Sequence, residues 1–326
     1  MGVLFFKAIP RPAIWGHTKV RDFFGYDDFP EGIGQSWSFS AQDGEGLSTV
    51  CINGGFKGKT LKELWEKHQE LFGHPGEDFP VIISLVGPED DLSIQVHPDD
   101  EHAQKIGYKR GKNEAWFFIE SDPGASIVYG QKTKNKEELQ EMINQDKWDD
   151  IYKKYPVADG DFVYLPAGCL HAMGKGNVVY EIQQSTDVTY RFYDYHRKDK
   201  DGNERELHLK QAIDCLSFDK DIDKNDVHPV VKVHENMKET IFISNDSFTV
   251  SQLLVIGKCQ YKCDNYQLAT VVKGSGKVDE YDVKVGDNFL IPTNTSIELD
   301  GQMMIMMTTK EGELYGKRIF MGRRFK

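Results

Sequence analysis

The chain has 326 residues, of which 39% are hydrophobic, 28% charged and 12% aromatic, and its formal net charge is −12. The length predicts about two domains, each large enough to bury a core. The negative charge disfavours nucleic acid and anionic lipid as partners, and an anionic small substrate would need a local cationic pocket.

Neither a membrane span nor a secretory leader is expected. No run approaches the ~20 apolar residues that a spanning helix needs, and the N-terminal MGVLFFKAIPRP lacks a signal-peptide cleavage pattern. The five cysteines are odd in number and scattered, which predicts reduced thiols in a cytoplasmic protein. The oligomeric state is left open.

Most of the chain consists of short strands broken by Gly, Pro, Asn and Asp, which predicts a mainly β fold. The first clear helix is TLKELWEKHQELFG at 60–73, where Thr60 and Glu63 form a capping box and Gly73 stands at the C-terminal cap. Helical periodicity also predicts one or two amphipathic helices over 135–155 and a weaker one over 205–217.

The stretch DDLSIQVHPDDE at 90–101 predicts a strand with one apolar and one polar face. Successive strand side chains point to opposite faces, so an apolar row opposes a polar one; the two rows are Leu92, Ile94, Val96 and Ser93, Gln95, His97. In the following KNEAWFFIE strand, Lys112 and Glu114 share a face by the same alternation.

The strand STDVTYRFYDY at 185–195 is expected to place four residues on one face, namely Asp187, Thr189, Arg191 and Tyr193. An inward aspartate and arginine would be unusual unless they pair with each other or with a ligand. An internal Asp187–Arg191 salt bridge and a ligand-binding role both remain open at this point.

One phrase occurs twice in the chain. GDFVYLPAGCLH begins at Gly160 and GDNFLIPTNTSI begins at Gly286, and each combines a Gly-Asp turn, a strand and a proline that ends it. The phrase resembles the second half of a cupin β-barrel, so two copies predict tandem cupin (jelly-roll) barrels. Ile297 occupies the place of His171 in the second copy, which predicts a metal-free second barrel.

Cupin barrels surround one metal ion with a His-x-His pair, a glutamate and a later histidine. Here Gln95 replaces the first histidine, and His97, Glu114 and His171 follow in that order. An amide oxygen, two imidazoles and a carboxylate suit Zn²⁺ or another first-row divalent metal. Such a site favours chemistry in which an oxyanion forms beside the ion.

These motifs together resemble those of the class I mannose-6-phosphate isomerases in their shorter bacterial form. The resemblance covers nearly the whole chain, from IWGHTKVRDFFGY through IGQSWSFSA, LSIQVHPDD, GKNEAWF, PAGCLHA and QQSTDVTYRFYDY to RELHLKQA. It implies tandem cupin domains with a small helical part and interconversion of mannose 6-phosphate and fructose 6-phosphate through an enediol(ate), with one bound zinc per chain.

The resemblance also implies roles for single residues. The metal ligands would be Gln95, His97, Glu114 and His171; the catalytic residues would be Arg191 and Asp187, with Asp187 the candidate base; Lys112 and Ser93 would bind substrate. The chain departs from the family pattern by carrying Gln35 in place of a glutamate. The family also usually has a lysine in the apolar strand, two or three residues before an aspartate, and this chain has Ser84 and then Gly87.

Two domains are expected on this basis. Residues 1–225 would form the catalytic metal-binding domain, with helical segments near 60–73 and 135–155, and residues 226–326 a second, metal-free cupin domain. Two other functions stay open, a non-catalytic sugar-sensing cupin and a metal-dependent cupin dioxygenase. Turnover of a sugar phosphate would exclude the non-catalytic sensor, and an oxygen-uptake assay would test for the dioxygenase.

Overall fold

A computed structural model describes residues 2–74, 76, 78–198, 201–218 and 227–310. Strands predominate over short helices in this part of the chain, which confirms the predicted mainly β class. No helix within the described ranges is long and apolar enough to cross a membrane.

The α-helices are α1 Lys19–Phe24, α2 Leu61–Lys67, α3 Asp100–Lys105, α4 Lys136–Asn144, α5 Trp148–Ile151 and α6 Leu209–Cys215. The strands are β1 Leu4–Lys7, β2 Ile9–Pro12, β3 Ile33–Phe39, β4 Val50–Cys51, β5 Val81–Val86, β6 Ile94–Val96, β7 Glu114–Ser121, β8 Ser126–Gln131, β9 Tyr152–Pro156, β10 Phe162–Leu165, β11 His171–Met173, β12 Asn177–Gln184, β13 Tyr190–Tyr193, β14 Val230–His234, β15 Met237–Ser244, β16 Thr249–Ile256, β17 Cys259–Cys263, β18 Gln267–Val278, β19 Tyr281–Lys284, β20 Asn288–Ile291 and β21 Thr295–Thr309.

The chain divides into two compact units that are discontinuous in sequence. Unit I comprises the described residues of 9–38 and 81–227, and unit II those of 1–8, 39–80 and 228–326. The expected ranges were continuous, whereas β1 pairs with β20 and β4 pairs with β1, so the N-terminal segment joins the C-terminal strands. The helical segment at 60–73 consequently lies in unit II. The division of roles between a metal-binding and a metal-free domain stays a prediction.

Two antiparallel sheets form unit I. Their strand orders are β10-β7-β12-β5-β3-β2 and β13-β6-β11-β8-β9. A buried apolar cluster contains side chains of both sheets, such as Trp116 on β7 and Met173 on β11. A second cluster packs Ile94 and Val96 of β6 against Leu139 of α4. Helices therefore cover one face of the five-stranded sheet, and its other face packs against the six-stranded sheet.

The strand around residue 94 is shorter than the alternating stretch of sequence that predicted it. β6 spans only Ile94–Val96, and both of these residues belong to the helix-side cluster, as the alternation requires. Leu92 does not join them, because it precedes the strand and packs in the cluster between the sheets. Its backbone nitrogen donates to the carbonyl of Met173 at 2.9 Å, which holds it there.

The predicted helices form with shorter bounds. Thr60 and Glu63 make both hydrogen bonds of the capping box, which confirms the predicted start of α2. The helix ends at Lys67, because His68 has φ −135°, and a 3₁₀ turn over 69–71 follows. The pattern at 135–155 gives α4 and α5, but residues 152–155 belong to β9, so the helical prediction is wrong there.

Both copies of the repeated phrase have the predicted turn and strand. Gly160 and Gly286 have φ of +85° and +92°, a conformation that favours glycine. The strands β10 and β20 follow, each ending just before the proline. In unit II the equivalent of His171 is Ile297, which is 1% exposed and packs in the apolar core. The second copy therefore contributes a core side chain where the first contributes an imidazole.

Candidate metal centre and active site

Three buried side chains meet at the inner face of unit I. His97 lies just after β6, Glu114 begins β7 and His171 begins β11, and one potential ligand atom from each lies within 4.8 Å of the others. They form the one such group of three or more His, Cys, Asp or Glu residues in the described part of the chain. The sequence predicted all three as ligands, and the fold brings them together from both sheets.

The backbone sets the tautomer of both histidines. His97 Nδ1 lies 2.9 Å from the carbonyl oxygen of Val188, and His171 Nδ1 lies 2.9 Å from that of Cys169. Because a carbonyl oxygen only accepts, each Nδ1 must carry a proton, and in a neutral imidazole Nε2 is then the atom with the lone pair. Metal-binding imidazoles in proteins are commonly oriented by such a hydrogen bond from the ring nitrogen that does not bind the metal.

Gln95 lies beside this cluster. Its backbone is directly opposite His171 in the β6–β11 pair, and its amide nitrogen lies 3.4 Å from His171 Nε2. Rotation of the terminal amide by half a turn exchanges its nitrogen and oxygen, so the same side chain can present an oxygen ligand.

The cluster fits a cation. His97 Nε2 and Glu114 Oε2 are buried and have no hydrogen-bond partner. Glu114 Oε1 lies 3.3 Å from His97 Nε2, and Glu114 Oε2 lies 3.4 Å from His171 Nε2. Buried acceptors without a donor are costly, and a divalent ion with N and O ligands satisfies all of them at once.

Burial and charges around the cluster keep His97 and Glu114 in forms that can bind a metal ion. Burial, with Lys112 nearby, lowers the pKa of His97 to about 4, so its imidazole is neutral at pH 7. Burial acts to raise the pKa of Glu114, but Lys112 and His97 outweigh it, and the pKa lies well below its usual value. Lys112 is itself buried, with Nζ 2.9 Å from Glu114 Oε1.

Glu181 is a further buried carboxyl group of the site, and the sequence analysis missed it. It lies on β12 opposite Ser84 of β5 and Trp116 of β7. Trp116 Nε1 donates to Oε1 at 2.9 Å, and Gln35 Nε2 donates to Oε2 at 3.3 Å. Burial, reinforced by the charge of Glu114, raises the pKa of Glu181 to about 7. The one available signal was a carboxylate inside the otherwise uncharged strand NVVYEIQQ.

The arginine at 191 stands on the same side of the sheet as Gln95, because the two residues are opposite each other in the β13–β6 pair. Its Nη1 donates to the carbonyl oxygen of Glu206 at 2.7 Å, while its Nε is buried without a partner. Burial and the neighbouring Arg205 lower the pKa of Arg191. Asp187 makes no ion pair with it in the described structure, so the internal salt bridge is absent there.

The predicted common face of 187–193 is only partly correct. Asp187 is exposed and precedes β13. It lies close enough for its charge to act to raise the pKa of Lys112 and of Glu181. Tyr193 does not face the same way as Arg191, because the register shifts between them. Its ring stacks on Trp148 at 4.4 Å on the helix side of the sheet. Ser93 is buried and precedes β6 by one residue; its place in the polar row stays a prediction.

A buried His, Glu and His set with a neighbouring amide, held between two antiparallel sheets, defines this chain as a metal-binding cupin protein. The sequence profile described as "Phosphomannose isomerase type I, catalytic domain" matches residues 4–117, and that described as "Mannose-6-phosphate isomerase, cupin domain" matches residues 238–310. The chain is 38% identical to mannose-6-phosphate isomerase of Streptococcus mutans, covering 93% of this chain and 96% of that protein. It belongs to the type I phosphomannose isomerase family.

Other relatives agree with this membership. Mannose-6-phosphate isomerase ManA of Bacillus subtilis is 39% identical, covering 89% of this chain and 92% of that protein. A crystal structure of mannose 6-phosphate isomerase from Bacillus subtilis superposes with a TM-score of 0.89 at 33% identity, covering 95% of this chain and all of that one. A variant of phosphomannose isomerase from Salmonella typhimurium, at 13% identity and a TM-score of 0.74 over 95% of this chain and 100% of that one, shares the fold.

Proposed function

We propose that the protein interconverts mannose 6-phosphate and fructose 6-phosphate. The observation that carries this proposal is the convergence of buried potential ligand atoms from His97, Glu114 and His171, in a chain whose relatives bear that activity in their names. Gln95 and these three residues would hold one divalent ion, for which zinc suits the mixed N and O ligands. When bound, the ion would stabilise negative charge on substrate oxygen.

Two carboxyl groups are candidates for the proton transfer between C1 and C2. Asp187 is the candidate from the sequence, and Glu181 is the one that the buried site adds. A general base works best when its pKa lies near the working pH, and the pKa of Glu181 is raised to about 7. We therefore propose that Glu181 carries the proton and that Asp187 influences the site from its exposed edge.

Cationic side chains would hold the substrate. Arg191 has a buried Nε–H without a partner and can hold two oxygens in a fork. Lys112 supplies a second positive charge, and Ser93 is the candidate for contact with a sugar hydroxyl or phosphate. The five free cysteines, none of them in a disulfide, support a reducing compartment such as the cytoplasm.

The test is turnover of mannose 6-phosphate, coupled to reduction of a nicotinamide, in chelated and zinc-reloaded protein. Activity should disappear with the metal and return with it. Binding of the sugar phosphate without turnover in the reloaded protein would instead indicate a sensor, and oxygen uptake would indicate a dioxygenase.

The base is tested by exchange of the C2 hydrogen with solvent, which reports proton transfer separately from product formation. Glu181→Gln should abolish this exchange, whereas Asp187→Asn should slow it. The opposite ranking would move the assignment to Asp187.

A further inference from the structure

Gln35 connects two buried residues of the six-stranded sheet. Its Nε2 donates to Ser84 Oγ at 2.7 Å and to Glu181 Oε2 at 3.3 Å. Ser84 is fully buried and Glu181 is 8% exposed. The amide therefore joins β3 to the carboxyl group of β12 through two partly buried hydrogen bonds.

The backbone at Gln35 is held by close packing on the residue before it. A methyl group added to Gly34 would stand 2.2 Å from the ring of Trp15, so only glycine fits beneath that indole. The carbonyl of Gly34 also accepts from the backbone nitrogen of Gly87 at 3.0 Å. The Cα of Gln35 is thus fixed, and its side chain reaches Glu181 from a rigid strand.

An amide can serve both protonation states of its partner. It donates an N–H to a carboxylate, and after rotation its oxygen accepts from a protonated carboxyl group. A lysine would favour only the carboxylate, and a second carboxylate would force the pair to share a proton. The neutral amide is the partner that remains hydrogen-bonded when the carboxyl group gains or loses a proton.

We propose that Gln35, anchored by Ser84, is a positioning residue that keeps the carboxyl group of Glu181 in one orientation throughout the proton-transfer cycle. This inference rests on the proposed function, in which Glu181 carries the proton.

Charged groups and neutral ones surround the carboxyl group of Glu181. Glu114 faces it from β7, Lys112 from the residues just before β7, and Asp187 from the segment after β12. Ser84 of β5 and Gln35 of β3 are neutral. A charged residue at position 35 would therefore place a charge on the side of β3 and β5, where the neighbours of Glu181 are Gln35 and Ser84.

The experiment compares Gln35→Leu, Gln35→Glu and Ser84→Ala with the zinc-loaded wild type. Gln35→Leu should lower kcat at least about tenfold with KM within about twofold, because orientation is lost and binding is kept. In Gln35→Glu the two carboxyl groups share a proton, so the acidic limb of the kcat–pH profile should move up by about one pH unit or more. Activity should recover at high pH, and Ser84→Ala should show a smaller loss than Gln35→Leu.

A spectroscopic measurement keeps the inference testable apart from turnover. Infrared difference spectra follow the protonated carboxyl band of Glu181, assigned by its loss in Glu181→Gln, in metal-free and zinc-loaded protein. Its midpoint should rise in Gln35→Glu. Gln131→Leu is a matched control, since Gln131 donates to the carbonyl of Ser217 at 2.7 Å away from Glu181, and it should leave the band and the profile unchanged.

The outcomes separate the two proposals. An unshifted band and pH profile in Gln35→Glu, with losses explained by unfolding alone, would overturn the positioning role. A wild type without isomerase activity but with the expected band shift would refute the proposed function and leave the Gln35–Glu181 contact established.

Discussion

Replacing Lys112 by methionine tests the charge balance of the site. Lys112 Nζ lies 2.9 Å from Glu114 Oε1, and the two side chains are 6% and 1% exposed. At an effective dielectric constant of about 20, unit charges at that distance attract by about 6 kcal/mol, and desolvation offsets part of this. Because the substitution leaves Glu114 charged and buried, it should lower the free energy of unfolding of the metal-free protein by about 3–5 kcal/mol.

Zinc should reduce that loss. A divalent ion at the cluster would replace the missing positive charge, so added zinc should stabilise Lys112→Met more than it stabilises the wild type. The measurement is urea unfolding of both proteins with chelator and with zinc.

Lys105→Met is the matched control for this experiment. Lys105 Nζ contacts Glu101 Oε1 at 2.7 Å, but the side chains are 63% and 78% exposed. Exposed pairs contribute little, so its stability should change little and without dependence on zinc. Equal losses in both variants, or a Lys112→Met loss that zinc leaves intact, would refute the charge-balance reasoning.

Four further outcomes are expected. Elemental analysis should find about one divalent ion per chain in the wild type and little in His171→Ala, whereas two equivalent ions would contradict the assignment. Thr295→Ala in unit II should keep kcat within about tenfold, equivalent to about 1.4 kcal/mol in the barrier. Arg191→Ala should lower kcat on the order of 10²-fold with unchanged metal content. Arg191→Lys should recover only part of the lost kcat. A destabilised Arg191→Ala variant with near-normal kcat would show that Arg191 has a structural role instead. Burial acts to raise the pKa of Asp194, but hydrogen bonds from Arg205 and Arg197 lower it, so Asp194→Asn should destabilise above about pH 4, near the unfolded value, and the difference should vanish as pH falls through the folded pKa.

Local patterns in the sequence, together with the resemblance to cupin barrels, were sufficient to name the candidate ligands. Alternation places Gln95 on the opposite face to Ile94 and Val96, and the structure shows this. The repeated phrase predicts His171 at the end of its strand, but that strand, β10, ends at Leu165 and His171 begins β11. The capping box at Thr60 is equally local. Such features depend on residues within a few positions of each other, so a sequence displays them directly.

Features set by pairing between distant strands could not be predicted in the same way. Glu181 belongs to the site because β12 pairs with β5 and β7 in a register that sets it opposite Ser84 and Trp116. The register shift that turns Tyr193 away from Arg191 is likewise a property of the β13–β6 pair. The grouping of residues 39–80 with the C-terminal strands has the same origin, since β4 pairs with β1 and β1 with β20.

The charges of the site explain how an acidic protein can accept an anionic substrate. The net charge is −12, yet two cationic side chains, one buried and one partly buried, stand at the site. Lys112 and Arg191 bring two positive charges, Glu114 brings one negative charge, and Glu181 is close to neutral when its proton is bound. A divalent ion adds two more positive charges. Asp187 adds one negative charge at the exposed edge. With the ion bound and Glu181 protonated, the site would carry about +2, which balances a phosphate group of about −2. Transfer of a proton from the substrate to Glu181 leaves the total charge of site and substrate unchanged.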